Sequence, residues 1–161
     1  MELLTGEYRN TLDEKGRILF PTKLRNELFK KDDSDENSKE ESGKNVLIIT
    51  QAIDRCLWIY TLSEWKNLSA KIMGAASPFN AKNNLVLRHF IGPAQEVELD
   101  RSGRISIPQS LRAYANLTKD CVLLGINKYI ELWDAAEYSK YLAANEQSLA
   151  EAADALSNIS F

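Results

Sequence analysis

Two short segments of the chain carry the residue types best suited to a defined polar contact. Each reads Asp-x-x-Gly-Arg, and the six fixed positions are Asp13, Gly16, Arg17, Asp100, Gly103 and Arg104. An aspartate that opens a turn accepts hydrogen bonds from the turn N–H groups, and glycine is free to take a positive φ. The arginine four positions later can pair with that carboxylate. One such turn alone would favour a purely structural turn with a surface ion pair.

The two segments belong to a longer internal repeat. Residues 13–25 and 100–112 share Asp, Gly, Arg, Ile, Pro, Leu and Arg in register at an offset of 87, and a Leu-Trp pair at 57–58 recurs at 132–133. A repeat this long indicates two copies of one supersecondary unit, because solenoids need three or more shorter repeats. We therefore expect a function that two similar surfaces perform together.

Each copy is predicted to contain a strand, the turn, a second strand, a short helix opened by proline, and two more strands. The predicted strands are 7–12, 18–20, 45–49 and 56–60 in the first copy, and 96–99, 105–107, 121–125 and 129–133 in the second. Short helices are predicted at 22–29 and 108–114. The fold class that follows is α+β.

Further helices are predicted between and after the two copies. Residues 62–73 and about 80–91 should be helical, and Gly92-Pro93 ends the second of these helices. Two residue pairs have the spacing of a helix N-cap and its third-position acid, namely Thr61 with Glu64 and Asp134 with Glu137. After Asp134 we expect one long helix, with an apolar stripe formed by Tyr138, Leu142, Leu149, Ala153 and Leu156.

Composition restricts the class of protein. With 161 residues and 44% hydrophobic residues, the chain can build one ordinary core or two small ones. It has no apolar run of 18 residues and no secretory leader, which predicts a soluble protein that is not exported. Cys56 and Cys121 are flanked by apolar residues, so we expect buried free thiols in a reducing compartment.

Several kinds of chemistry have no support in the sequence. His89 is the single histidine, and no CxxC or HxxxH spacing exists, so neither a metal site nor a cofactor is predicted. A glycine-rich phosphate loop and a nucleophile–base pair are also missing, which argues against an enzyme with catalytic residues.

The net charge of −3 hides a local positive surface. The segment 32–45 carries six acids and two lysines, a net −4, and the tail 145–161 carries a net −3, so the remainder carries +4. Basic residues gather around the first repeat: Arg9, Lys15, Arg17, Lys23, Arg25, Lys30 and Lys31. Composition alone would also fit a solvated surface of mixed charge. The clustering of basic residues near the first repeat instead predicts a patch that attracts a polyanion. Residues 31–44 lack apolar side chains and are predicted to form a surface loop.

The motifs together resemble those of the MraZ family. The resemblance rests on Gly-Glu-Tyr-x-x-Thr-Leu-Asp-x-Lys-Gly-Arg at 6–17, on Asp-x-x-Gly-Arg-Ile-x-Ile-Pro from residue 100, and on the paired Leu-Trp segments, and it covers almost the whole chain. Members of this family are bacterial transcription regulators with two tandem SpoVT/AbrB-type domains. The segment 31–44 is longer than is usual for the family.

The resemblance implies a fold and an assembly. The expected fold is a double-split β-barrel in which the two repeats interleave, with linking helices and a C-terminal helix. The implied divisions are a first domain at 6–66, a helical linker at 67–93, a second domain at 94–138 and a C-terminal helix at 139–161. The implied assembly is a ring-shaped homo-oligomer, expected to be an octamer.

The resemblance also implies a function. Family members bind short direct repeats of double-stranded DNA upstream of the operon for division and cell-wall synthesis, and repress it. Such a protein would be cytoplasmic and nucleoid-associated, with no membrane partner. Two other classes stay open: an antitoxin-like module that neutralises a toxin through a disordered tail, and a structural ring protein without a nucleic-acid role.

Family roles carry over position by position. Arg17 takes the place of the expected DNA-contacting arginine, Lys15 belongs to the same basic turn, and Arg104 has the matching place in the second copy. Ser102 replaces the lysine there, and the basic residue Arg101 comes one position earlier, so the second turn is expected to serve structure or subunit contact more than DNA. The remaining motif positions, Asp13, Gly16, Asp100 and Gly103, are expected to form the turns.

Overall fold

The computed structural model describes residues 3–30 and 45–160 of the chain, so the predicted loop at 31–44 lies outside the described residues. The strands are β1 Leu4–Thr11, β2 Arg17–Leu19, β3 Val46–Gln51, β4 Leu57–Thr61, β5 Gln95–Glu98, β6 Arg104–Ser106, β7 Asp120–Asn127 and β8 Tyr129–Asp134. The helices are α1 Thr22–Leu28, α2 Leu62–Ala75, α3 Ala81–Val86, α4 Gln109–Tyr114, α5 Ala135–Asn145 and α6 Leu149–Asp154. The predicted α+β class is confirmed.

The strands of the two copies pair with each other. Six of them form an antiparallel sheet in the order β1-β7-β8-β4-β3-β5, while β2 and β6 form a separate two-stranded ribbon. Strands β1, β2 and β4 of the first copy hydrogen-bond to β7, β6 and β8 of the second copy, respectively. The copies therefore interleave through their strands.

The repeated motif supplies matched core residues. The isoleucine and leucine positions of the two motifs, and the residue before each proline, are almost fully buried: Ile18, Phe20, Leu24, Ile105, Ile107 and Leu111. Side chains alternate between the two faces of a strand, so burial of Ile18 and Ile105 leaves their strand neighbours on the opposite face. The core thereby fixes which side of the ribbon faces solvent.

The two cysteines lie where the sequence predicts. Cys56 and Cys121 are both buried and unpaired. Burial raises the pKa of the Cys121 thiol to about 12, which keeps the thiol protonated and unreactive at neutral pH.

The helix between the copies has an unexpected second half. The predicted helix at about 80–91 begins as α3 but continues as a π-helical turn at Leu87–Ile91, closed by the Gly92 N–H on the Leu87 carbonyl at 3.0 Å. Two carbonyl groups in this last turn, which have no partner within the helix, make tertiary contacts. The Thr50 hydroxyl donates to the Phe90 carbonyl at 2.7 Å, and the Gln51 side chain donates to the His89 carbonyl at 3.1 Å.

The prediction of one long C-terminal helix is wrong. A 3-10 turn at Glu146–Ser148 separates α5 from α6. Asn145 leaves the helical region, with φ −111° and ψ 4°, and its side-chain amide donates to the Tyr141 carbonyl at 2.8 Å. An asparagine that bonds back to the preceding turn competes with helix propagation. The leucines of the predicted stripe are exposed rather than packed: Leu142, Leu149 and Leu156.

Both predicted N-caps are confirmed, and the second one is built around a buried carboxylate. Thr61 accepts the Glu64 N–H at 3.3 Å, and Asp134 accepts the Glu137 N–H at 3.1 Å. Asp134 is only 2% exposed, and it also accepts the Thr118 N–H at 2.9 Å and the Thr118 hydroxyl at 2.6 Å. Burial tends to raise the pKa of this carboxyl, but the bonds from Thr118 and the helix N–H groups outweigh it and hold the pKa below its usual range.

Asp134→Asn is expected to lower the free energy of unfolding at neutral pH by about 1–3 kcal/mol, because charged hydrogen-bond acceptors are lost. A carboxyl whose pKa is lowered on folding stabilises the protein above its unfolded pKa, and this contribution is lost as pH falls through the folded pKa. The difference between wild type and variant should therefore shrink on acidification. Urea unfolding of both proteins at pH 7 and pH 3 measures it, and a difference independent of pH would contradict this role.

Candidate nucleic-acid interface

The first turn is organised by its aspartate. The Asp13 Oδ1 atom accepts the backbone N–H groups of Lys15 and Arg17 at 3.0 and 2.8 Å. The Asp13 Oδ2 atom accepts the Arg17 Nε–H at 2.8 Å. Backbone bonds from Asp13 N–H to the Arg17 carbonyl and from Gly16 N–H to the Asp13 carbonyl close the turn. The carboxylate thus shapes the turn and orients the guanidinium, whose Nη groups have no hydrogen-bond partner among the described residues.

The second turn repeats the backbone geometry but not the ion pair. The Asp100 Oδ1 atom accepts the N–H groups of Ser102 and Arg104 at 2.8 and 2.9 Å, and the Gly103 N–H donates to the Asp100 carbonyl at 3.0 Å. Within residues 3–30 and 45–160, no salt bridge joins the Arg104 guanidinium to Asp100. The guanidinium of Arg17 is therefore held in place by its own turn, and that of Arg104 is not.

Both turn aspartates are acceptors rather than acids. The Arg17 N–H, reinforced by the Arg17 guanidinium, lowers the pKa of Asp13. The Arg104 N–H, with that of Ser102, lowers the pKa of Asp100 in the same way. Both carboxylates therefore stay ionised at neutral pH, which suits a turn former and not a proton donor.

The ribbon brings the two arginines to one face. In the antiparallel pairing of β2 with β6, Arg17 lies opposite Ser106, and Leu19 lies opposite Arg104. Residues directly opposite each other project to the same side of a ribbon, as do residues two apart on one strand. Arg17, Leu19, Arg104 and Ser106 therefore share one face, referred to below as the ribbon face. Ile18 and Ile105 occupy the opposite, buried face.

The spacing of this face follows from strand geometry. Two residues along a strand span about 7 Å, which is the offset between Arg17 and Arg104 along the ribbon. Leu19 and Ser106 are exposed, and the two arginines are partly exposed. The face thus presents two cations side by side, one from each copy.

Each turn is covered by an arginine of the other copy. The Arg112 guanidinium, from α4, lies against Gly16, and the Arg25 guanidinium, from α1, lies against Gly103. Both glycines have positive φ, +75° and +81°, and a Cβ at either position would collide with the covering guanidinium. The sequence predicts no role for Arg112 and places Arg25 only in the basic patch. Their recurrence at the end of the repeated Leu-Arg pair was the available signal.

Backbone hydrogen bonds also connect each turn to the other copy. The Phe20 N–H donates to the Gly103 carbonyl, and the Ile107 N–H donates to the Gly16 carbonyl, both at 2.8 Å. Each turn is therefore positioned by the opposite copy, and the two turns lie at opposite ends of the ribbon.

The other predicted basic residues are placed less uniformly. Lys15 is exposed within the first turn. Arg9, on β1, pairs with Glu7 at 3.3 Å, and Arg25 is partly buried over the second turn. Lys31 lies outside the described residues. The patch expected around the first repeat thus divides into the ribbon face with its turns and scattered surface charges.

Neither a metal cluster nor a membrane span is found in the part of the chain that the structure describes. There, no three His, Cys, Asp or Glu side chains come together as ligands. None of the helices in residues 3–30 and 45–160 has the length and apolar character needed to cross a bilayer.

The fold and the ribbon define a class of protein: a tandem repeat whose two copies build one shared basic surface. A sequence profile described as "MraZ protein, putative antitoxin-like" matches residues 3–89 and again 90–158. The chain therefore belongs to the MraZ family, and the predicted resemblance is confirmed.

Individual relatives agree with this assignment over nearly the full chain. The Transcriptional regulator MraZ of Treponema denticola is 51% identical over 158 residues, which cover 98% of this chain and 100% of that protein. The proteins of the same name from two strains of Treponema pallidum are each 43% identical over 155 residues, or 96% of this chain and 95% of theirs. All three carry the name of a regulator and not of an enzyme, in agreement with the sequence analysis.

Proposed function

We propose that this chain is a sequence-specific DNA-binding transcriptional regulator and that the ribbon face enters the major groove. One observation carries the proposal: Arg17 and Arg104, from different copies, lie on the same solvent-facing side of a two-stranded ribbon. The major groove of B-DNA is wide enough to admit such a ribbon. Guanidinium groups there can form paired bonds to a guanine edge or to phosphate.

The residues divide the work by chemistry. Arg17 is the principal base contact, because Asp13 holds its Nε and leaves the Nη groups available. Lys15, beside it in the turn, attracts phosphate without strong directionality. Arg104 adds a second, less constrained contact. The names of the relatives, which describe transcriptional regulators, support the same function.

The architecture proposed for this function is a double-split β-barrel with domains at 6–66 and 94–138, a linker at 67–93 and a C-terminal helical segment at 139–161. The exchange of strands between copies supports the barrel. Copies of this chain would assemble into a ring-shaped homo-oligomer, expected to be an octamer. Exposed apolar side chains on the linker and the C-terminal segment support self-association: Met73, Phe79, Leu85, Leu142, Leu149 and Leu156.

A ring explains how a small contact reads a promoter. One ribbon covers too few bases to specify a site, but linked ribbons on repeated boxes multiply in affinity. We propose that the targets are direct repeats upstream of the division and cell-wall operon, which the protein represses. The protein would accordingly work in the cytoplasm at the nucleoid.

DNA binding by this surface is expected to be strongly salt-dependent. The logarithm of affinity should fall with the logarithm of salt concentration by about 0.9 per neutralised phosphate. The measurement is a titration of the full-length protein against the duplex upstream of its gene at several salt concentrations. Binding that is absent, or indifferent to salt, would refute the proposed function and favour a ring protein with a purely structural role.

Deletion of residues 33–42 gives a companion variant. The segment 32–45 carries a net −4, and we expect it to point away from DNA because close approach would cause repulsion in every subunit. The salt slope should then stay nearly unchanged. A steeper slope with tighter binding would place the segment beside the DNA.

A further inference from the structure

We propose that Leu19 reads a thymine methyl group and gives the ribbon face a direction on DNA. This inference rests on the proposed function, because it assumes that the ribbon face lies in the major groove. It adds a specificity-determining residue to that function and identifies the base feature that the residue recognises.

Leu19 has an unusual position for an apolar residue. It is 44% exposed on the ribbon face, two residues from Arg17 on the same strand and directly opposite Arg104. Isolated exposed leucines are common on protein surfaces, so exposure alone has no meaning. Leu19, however, lies beside two arginines on the proposed DNA-binding face. Its side chain is therefore covered by DNA whenever those arginines bind.

The backbone of Leu19 is also held in place, and its side chain lies beside the second turn. The Leu19 Cδ1 atom lies beside Gly103, 3.7 Å from the position that a Cβ would take there. The Leu19 carbonyl accepts the Asn10 side-chain amide at 2.6 Å, and the residue is paired with Arg104 in the ribbon. The ribbon therefore fixes the position from which Leu19 presents its apolar side chain.

Only one apolar group is available on the major-groove edges of the bases. Thymine carries a C5-methyl group there, while guanine offers the acceptors that arginine prefers. A face with Arg17 and Leu19 side by side thus fits a guanine and a nearby thymine. Cytosine and adenine offer no group that would cover the leucine.

The repeat makes this residue a source of direction. At the offset of 87, Arg17 corresponds to Arg104, but Leu19 corresponds to Ser106. Asp13 orients only Arg17, but both guanidinium groups recognise the same base feature, so the two arginines alone contact similar base edges in either orientation. The Leu19/Ser106 difference breaks that equivalence, because a serine hydroxyl bonds to several bases and does not recognise a methyl group. A ribbon face with unlike ends is what reading a non-palindromic repeated box demands.

The test replaces thymine by deoxyuridine, which removes only the methyl group. The probe is a duplex selected from a random library with the full-length wild-type protein, and each thymine is replaced in turn. Wild type should lose about fourfold in affinity at one position per bound box, the effect expected for one buried methyl-sized group. Leu19→Ser should bind the thymine duplex about fourfold more weakly for each engaged box and be indifferent to deoxyuridine at that position. Ser106→Ala changes the same face at a different position, so whatever its overall affinity, it should show the wild-type loss of about fourfold on replacement of the same thymine.

The possible outcomes distinguish a failure of this inference from a failure of the proposed function. Wild type that is insensitive to every deoxyuridine, or Leu19→Ser with unchanged sensitivity at the same position, overturns the role of Leu19 while DNA binding stands. If no duplex is selected, or if Arg17→Ala binds the selected duplex as tightly as wild type, the proposed function fails and the inference fails with it. The exchange Leu19→Ser with Ser106→Leu should move the sensitive thymine to the other end of the box, and an unmoved position would overturn the proposed direction.

Discussion

Replacing Arg17 with alanine is expected to weaken binding to the upstream duplex by about 1–3 kcal/mol for each engaged ribbon, and by a multiple of this for linked subunits. The loss arises because Asp13 already orients the Arg17 guanidinium, so little ordering remains to be done on binding. The fold should be retained, since the arginine is a partly exposed turn residue that belongs to no core cluster. Titration of the variant against the upstream duplex, with circular dichroism as a check on folding, measures the effect.

Two comparison variants make the Arg17 result specific. Arg104→Ala should weaken binding less, because no aspartate fixes its guanidinium and Ser102 stands where the first turn has Lys15. Arg88→Ala removes the same charge from an exposed site on the linker, and should have little effect. Undiminished affinity of Arg17→Ala would disprove its assignment as the principal contact. A larger loss for Arg104→Ala than for Arg17→Ala would mean that the second copy dominates the DNA face.

The repeat made the local structure of the site predictable. Asp, Gly and Arg at fixed spacing determine a turn through bonds between near neighbours, and the backbone bonds of both turns follow the same pattern. The alternation of buried and exposed residues around Ile18 likewise needs only the period of a strand. The two N-caps were predictable for the same reason, because each involves residues three apart.

The shared ribbon could not be predicted from those signals. Its pairing joins Ile18 to Ile105, residues 87 positions apart, and an antiparallel register is decided by the whole core rather than by either segment. The covering of Gly16 by Arg112 is a consequence of that pairing. The sequence therefore identifies Arg17 and Arg104 separately, but it does not place them on one face or indicate that Leu19 lies beside both.

For the C-terminal segment, a local sequence pattern gave a wrong prediction. The apolar spacing predicted one packed helix, but spacing reports only which residues share a side and not whether anything covers them. Within the single chain, Leu142 and Leu149 remain exposed, and Asn145 interrupts the helix through a bond from its side-chain amide to the Tyr141 carbonyl. The spacing of apolar residues does not predict local hydrogen bonds of this kind.

Replacing Ile18 with alanine is expected to lower the free energy of unfolding by about 2–5 kcal/mol, the range for deleting a buried aliphatic side chain. Ile18 is 0% exposed and lies directly opposite Ile105, which is also 0% exposed, so a cavity would open beneath both arginines of the ribbon face. The measurement is urea unfolding at fixed protein concentration, because any self-association contributes to the apparent stability.

Leu19→Ala is the matched control for Ile18→Ala, since it removes the same kind of side chain from the next position on the same strand. It should change the free energy of unfolding by less than about 0.5 kcal/mol, as expected for surface positions. The two variants should also differ in DNA binding. Leu19→Ala should alter base preference in a folded protein. Ile18→Ala should weaken binding to all duplexes equally, because the ribbon itself is loosened. If Leu19→Ala destabilised the fold as strongly as Ile18→Ala, Leu19 would belong to the core, and the ribbon face would not be the surface presented to DNA.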